Sequence, residues 1–328
     1  MFAVETFDLT KDYDVGFFRQ RMKRALERVN LRVATGEIFG LLGPNGAGKT
    51  TTLKILLRLV FPTAGTARIL GRELDDIAMH ARVGYLPENP YFYDHLTAEE
   101  FLNYAGELFG LPSSERRRRA GRLLERLGVA EARDIPLRKF SKGMLQRVGI
   151  AQALINDPQL VFLDEPMSGL DPLGRREVRD LILELKGEGK TVFFSTHILS
   201  DAEMLCDQVA ILDRGRLQGC GKLREILALG VALTEMVLEN PSPELLKELS
   251  AHARSLVRTG ERVRLEVPQE SDVAKLLALA IRHGAKIVSL NPVKMSLEDY
   301  FMARTGAAGD AAAGQEAASP SGTKPRQQ

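Results

Sequence analysis

Residues 43–50 read Gly43-Pro44-Asn45-Gly46-Ala47-Gly48-Lys49-Thr50. They fit G-x-x-x-x-G-K-[ST], the phosphate-binding loop. The apolar run Ile38, Phe39, Gly40, Leu41, Leu42 precedes the loop and predicts a buried strand. Thr51-Thr52-Leu53-Lys54-Ile55-Leu56-Leu57 follows it and predicts the start of a helix. That strand–loop–helix setting is what the motif needs. Glycines let the backbone turn tightly, so that successive N–H groups face phosphate oxygens. The helix start adds its positive dipole end and unpaired N–H donors. Lys49 reaches the β- and γ-phosphates as a point charge. The Thr50 hydroxyl is a Mg²⁺ ligand, and Thr51 offers a further phosphate contact.

Downstream, Val83-Gly84-Tyr85-Leu86 predicts a short strand closed by Pro87-Glu88. Tyr91, Phe92 and Tyr93 cluster next, either as a contact surface or as a packed loop. Thr97-Ala98-Glu99-Glu100 is a capping box opening a helix with Phe101, Leu102, Ala105 and Leu108 on its inner face. Residues 113–127 predict a second amphipathic helix. Its Arg116-Arg117-Arg118-Arg119 run lacks interleaved aromatics and reads as a solvated face, so no direct nucleic-acid contact is expected. Residues 97–157 thus form a helical insert between strands, and Ser141 caps its last helix. Residues 160–165 form a buried strand that ends in Asp164 and Glu165. Asp164 is placed as the magnesium-side acid. Glu165 is placed to polarise a water aimed at the γ-phosphate. Residues 175–186 predict a helix, and 191–197 a buried strand with a polar tip. Residues 209–212 predict the last strand of this domain.

Upstream, residues 2–9 predict an edge strand, and Tyr13 a turn. Phe17-Phe18-Arg19-Gln20-Arg21-Met22-Lys23-Arg24 is a basic segment read as a solvated hairpin loop. Residues 26–33 predict a strand. The helix after the phosphate loop is expected to end near Phe61-Pro62.

The chain has 328 residues, enough for a large domain and a small one. Its net charge of +2 makes no electrostatic case for a polyanion partner. Cys206 and Cys220 have neither disulfide-framework nor metal-ligand spacing and suit a reducing cytosol. The acidic and basic residues near the start argue against a secretory signal. No run of about 18 apolar residues is present, so no membrane span is expected. Residues 221–305 predict a separate unit in the order β-α-β-β-α-β, which is ferredoxin-like. The Ala/Gly/Ser/Pro/Gln-rich residues 306–328 predict a disordered tail.

With these motifs in order, residues 1 to about 220 resemble the ATP-binding subunits of ABC transporters. Residues 43–50 match Walker A. Ser141-Lys142-Gly143-Met144-Leu145-Gln146-Arg147 matches the signature, usually L-S-G-G-Q. Residues 160–165 match Walker B, Ser168-Gly169-Leu170-Asp171 the D-loop, and His197 the switch histidine. Tyr13 fits the aromatic that stacks on adenine, though the basic segment stretches its distance from Lys49. The resemblance implies an α/β P-loop NTPase fold of the ABC ATPase type, with an inserted helical subdomain and a small α+β C-terminal domain. It implies ATP and Mg²⁺ as ligands, with Thr50, Asp164 and Glu88 on the metal. It implies a homodimer or heterodimer of ATP-binding subunits, head to tail, each ATP lying between one Walker A loop and the other subunit's signature. Ser141, Lys142, Gly143 and Met144 would then act across the interface, with Asp171 as a further cross-interface contact. Glu165 would be the catalytic carboxylate, Lys49 the phosphate lysine and His197 the γ-phosphate sensor.

Two departures stand out. Lys142 and Met144 flank a single signature glycine, Gly143. Glu88 stands where the family usually has glutamine. A related Glu, and the segment 295–301, resemble the bacterial exporters whose permease is a separate chain. That implies a cytoplasmic subunit, peripheral at the inner face of the cell membrane. The competing readings are a soluble ABC ATPase acting on ribosomes or DNA, and a nonhydrolytic nucleotide-gated module. The single phosphate loop and the lack of a long heptad run argue against the first, and Glu165 against the second.

Overall fold

The computed structural model describes residues 1–15, 21–228, 231–268, 272–294, 296–298 and 300. The expected tail, Phe17 to Gln20 of the basic segment, and residues 295, 299 and 301–305 of the expected C-terminal unit lie outside the described residues. The chain divides into two compact units, Met1–Leu223 and Arg224–Gln328.

In the first unit, one sheet is antiparallel. It runs in the order β2 (Arg21–Val29), β1 (Phe2–Val15), β5 (Ala64–Ile69), β6 (Arg72–Glu73), with β3 (Arg32–Ala34) also on β1. The second sheet is built from β11 (Arg216–Lys222), β10 (Gln208–Asp213), β4 (Ile38–Leu42), β9 (Thr191–Thr196), β8 (Leu160–Asp164) and β7 (Val83–Leu86), in that spatial order. Pairing is parallel from β10 through β7, and antiparallel between β10 and β11. β4, β8 and β9 are buried along their whole length. Strands covered on both faces carry continuous apolar runs, which is how these three read in the sequence. Parallel pairing brings their C-terminal ends to one edge, where Gly43, Asp164 and His197 follow or end them.

The helices are α1 (Lys49–Leu56), α2 (Ala98–Leu108), α3 (Ser113–Arg126), α4 (Lys142–Leu154), α5 (Pro172–Gly187) and α6 (Leu199–Leu205), with α7 (Leu223–Ala228) at the boundary between units. The Thr97–Glu100 capping box forms in both directions. Along α3, Glu115 accepts from Arg118 and Arg119, and these bonds hold its carboxyl down at about 2. With Arg117 donating to Ser113 Oγ, three of the four consecutive arginines are engaged within their own helix.

Several expectations change. β1 is an inner strand, paired on both sides, rather than an edge. Its inner positions include Thr6 and Thr10, which hide the apolar pattern. Thr6 is satisfied by donating to Val29 O and accepting from Leu31 N. Tyr13 lies within β1, opposite Lys23, and not at a turn. The basic segment is a strand from Arg21 onward. The strand expected over 26–33 is split, because the Asn30 amide binds Asp8 and Arg28 at that point. α1 ends at Leu56, where Arg58 at φ +56° turns the chain before Pro62 is reached. α5 starts at Pro172, with Asp171 as its cap. Leu108 is exposed rather than inward. β10 is not the last strand, since β11 follows it.

The second unit has its own core, with Met236, Leu238, Leu245, Val263, Leu265 and Leu276 among its buried members. Its elements are β12 (Val231–Glu239), α8 (Pro243–Ser250), β13 (Ser255–Thr259), β14 (Arg262–Pro268), α9 (Val273–Arg282) and β15 (Lys286–Lys294). The spatial order is β13-β14-β12-β15, all antiparallel. This is a split β-α-β arrangement.

Gly84 in β7 sits under α4. A Cβ there would lie 1.9 Å from Ala153 O, a backbone atom that has nowhere to move. Gly84→Ala is expected to lower stability by about 2–3 kcal/mol, a fall of about 5–10 °C in Tm. Calorimetric unfolding checks this, and an unchanged Tm would show that the close approach is not a constraint.

Candidate functional site

The phosphate loop is shaped by contacts that leave no room for side chains. Gly48 adopts φ +111°, and a Cβ there would come within 2.7 Å of Ala25 O. A Cβ on Gly43 would lie 2.1 Å from Leu212 O. The β10–β11 turn braces the loop, with Gly215 N donating to Ala47 O at 2.9 Å. α1 begins at Lys49, so its free N–H groups open toward the loop. The Lys49 ammonium is buried and donates to Gly43 O at 2.7 Å.

Asp164 ends β8 fully buried. The parallel register sets it beside Ser195 of β9. Ser195 Oγ donates to Asp164 Oδ1 at 2.5 Å and accepts from Glu165 N at 3.0 Å. Burial pushes the Asp164 carboxyl up, against the pull of Ser195, Thr50 and Lys49. Its other oxygen, Oδ2, is buried with no hydrogen-bond partner. An unpaired buried carboxylate oxygen beside the Thr50 hydroxyl is a donor set that fits a hard cation such as Mg²⁺, which needs only one or two protein ligands when substrate phosphates supply the rest. Among the described residues no cluster of three His, Cys, Asp or Glu side chains could hold a metal alone.

Glu165 is held in the left-handed region at φ +49°, an uncommon conformation for a residue with a side chain. The turn aims its carboxylate back over the loop. Oε1 lies 3.2 Å from Lys49 Nζ and Oε2 lies 2.9 Å from His197 Nδ1. This buried acid, flanked by two basic groups, is placed to receive a proton from a water near the phosphate end of the loop.

A groove of about 510 Å³ joins the loop to Glu165. Tyr13, Pro44, Asn45, Gly46, Gly48, Lys49, Thr50, Thr51, Glu88 and Glu165 all line it. The stretched spacing between Tyr13 and Lys49 is therefore taken up by the β1–β2 hairpin, and both ends reach one groove. Lys23, Arg24 and Ala25 also line it, and the sequence reading had assigned them no role there. Ser195 was likewise missed. Its signal was present as the polar tip of an apolar strand.

The signature residues lie elsewhere. Ser141, Lys142, Gly143 and Met144 do not line this groove. Ser141 caps α4 by accepting from Met144 N at 3.3 Å. Gln146 Nε2 donates to Pro166 O at 2.8 Å, which ties α4 to the turn after Glu165. The Lys142 side chain lies across Gly169, where a Cβ would come within 2.1 Å of its Nζ. Asp171 accepts from Gly174 N at 2.9 Å and so caps α5 of its own chain.

Ser195→Ala would remove the hydroxyl that donates to Asp164 Oδ1 and free the Glu165 N–H from one acceptor. Hydrolysis is expected to fall by about tenfold or more, because the two acids lose their shared orientation. ATP affinity should stay within about twofold, since Ser195 does not line the groove. Steady-state ATPase assays with nucleotide titrations would check this, and full activity in the variant would contradict it.

The ABC transporter family model matches residues 26–168. An uncharacterized ABC transporter ATP-binding protein of Synechocystis is 47% identical over 302 residues, covering 92% of this chain and 84% of that protein. The Nod factor export ATP-binding protein I of Ralstonia nicotianae is 36% identical, covering 86% of this chain and 89% of that one. Among solved structures, a dimeric ATP-binding cassette in a post-hydrolysis state bound to ADP and Pi is similar with TM-score 0.62 and 29% identity, covering 67% of this chain and 99% of that one. With its phosphate loop and Glu165 lining one groove, and Asp164 and His197 set beside Glu165, the chain belongs to the ABC transporter family, as an ATP-binding subunit with ATPase activity.

Proposed function

We propose that this chain powers export through a separate transmembrane permease, as one of two ATP-binding subunits that close over ATP. The observation that carries the reading is the Glu165 carboxylate, held between Lys49 at 3.2 Å and His197 at 2.9 Å. Lys49 and the loop N–H groups hold the β- and γ-phosphates. Thr50 and Asp164, with Glu88 at the groove's lip, would hold Mg²⁺, which draws charge from the phosphates when bound. Glu165 orients the attacking water and takes up its proton. His197 binds Glu165 through Nδ1, which leaves Nε2 for the γ-phosphate. Tyr13 stacks on the adenine.

The separation of the signature from the groove supports a two-subunit site. A second subunit, identical or different, would bring its own Ser141 hydroxyl, Gly143 N–H and α4 dipole to the γ-phosphate. Lys142, Met144 and Asp171 travel with that face. Hydrolysis is then gated by closure. The similar cassette described as dimeric supports the same arrangement.

Among the described residues no helix is long and apolar enough to cross a membrane. We place the chain in the cytoplasm, bound to the inner face of the cell membrane through its permease. Residues 1–220 would be the ATPase domain, with 97–157 as its helical subdomain. Residues 221–305 would be a ferredoxin-like accessory domain. Export rests on the resemblance to the Nod factor export protein.

Glu165→Gln is expected to bind ATP and hydrolyse it at least about a hundredfold more slowly. Trapped with ATP in native membranes and gently solubilised, it should copurify with a multi-spanning membrane protein. Recovery with ribosomes or DNA instead, and no membrane partner, would overturn the transport reading.

A further inference from the structure

We infer that Lys23 anchors the nucleotide through its α-phosphate. This rests on the ATP site proposed above and adds a residue to it. The basic segment that holds Lys23 has no role in the motifs already described. The hairpin brings its far strand into the groove. Lys23 pairs directly with Tyr13 across β1 and β2, and both line the groove that holds the phosphate loop. Directly opposed residues place their Cβ atoms about 4.5–5.5 Å apart on one face of the sheet. A base stacked on Tyr13 therefore lies within reach of the flexible lysine stem.

Charge accounting separates Lys23 from its neighbours. Arg24 also lines the groove, but it is bound to Asp12 through two contacts of 2.9 and 3.2 Å. Lys49 faces Glu165 and Gly43 O. Lys11 sits 5.0 Å from the Tyr13 ring, against the aromatic itself. Lys23 is exposed, and its side chain has no hydrogen bond or ion pair among the described residues. It is an uncommitted cation at the Tyr13 end of the groove.

ATP offers one charged group at that position. The adenine is neutral, and the β- and γ-phosphates sit over the loop and Lys49. The α-phosphate lies between them, next to the ribose. A mobile ammonium at the lip meets it as a point charge. Because ATP and ADP share this phosphate, Lys23 favours both equally and contributes affinity rather than chemistry.

The test is calorimetric titration of the full chain with ATP, ADP and GTP, comparing wild type with Lys23→Ala and Lys23→Arg. Lys23 is exposed and packs into no core, and unliganded Tm values check that the variants fold. Lys23→Ala should weaken all three nucleotides by a similar factor, about tenfold, and Lys23→Arg should bind within about twofold of wild type. The salt dependence of the affinity should also become shallower in Lys23→Ala. An ATP constant unchanged in Lys23→Ala would overturn the inference, and so would a loss seen with ATP but not GTP, which would place Lys23 on the base. A wild-type chain that bound no ATP would instead overturn the nucleotide site itself.

Discussion

Two carboxylates stand at the end of a buried strand, and the structure around them is arranged to keep them there. Asp164 is fully buried and Glu165 nearly so. Removing such charges from water costs several kcal/mol per ion unless partners replace the lost hydration. Ser195 serves both residues at once, through the Asp164 carboxylate and the Glu165 N–H. Lys49 and His197 flank the second acid. One oxygen of Asp164 is left without a protein partner. These groups come from three separate stretches of the chain, which the parallel sheet brings together at the C-terminal ends of β4, β8 and β9.

The sheet does this through register. Asp164 pairs with Ser195, and Leu41 with the same serine from the other side. A shift by one residue would turn each side chain to the opposite face. The phosphate loop therefore sits over the acids because β4, β9 and β8 are neighbours in space, although they are far apart in the chain. The helical insert obeys a different rule. Its last helix is tied to the turn after the acids by Gln146 and Pro166, and the residues at its N-terminus do not line its own groove. Geometry within one chain thus leaves the signature unpaired with the phosphate loop.

Much of this was legible from residue order. The buried strands announced themselves as apolar runs, and the capping box at Thr97 formed as written. The failures have physical causes. β1 buries Thr6 and Thr10, whose hydroxyls are satisfied by long-range backbone partners that a local pattern does not reveal. β11 carries two glycines, Gly219 and Gly221, and exposed positions, and it is a strand because β10 pairs with it. α1 stops where Arg58 turns into the left-handed region, four residues ahead of the proline that looked like its end. Lys23 and Ser195 had no motif to mark them, since their importance comes from what lies opposite.

The sequence by itself determined the loop, the two acids, the order of the motifs and the family they define. These are local chemical requirements: glycines where backbone must approach phosphate, a lysine and a hydroxyl at fixed spacing, acids at a strand end. Only the tertiary structure decided which distant groups meet them. It joined Tyr13 and Lys23 to the phosphate loop, set Ser195 between the acids, and kept the start of the Ser141 helix out of its own groove. Such pairings depend on strand register and sheet order, which arise from long-range burial and hydrogen bonding and leave no fixed spacing in the chain.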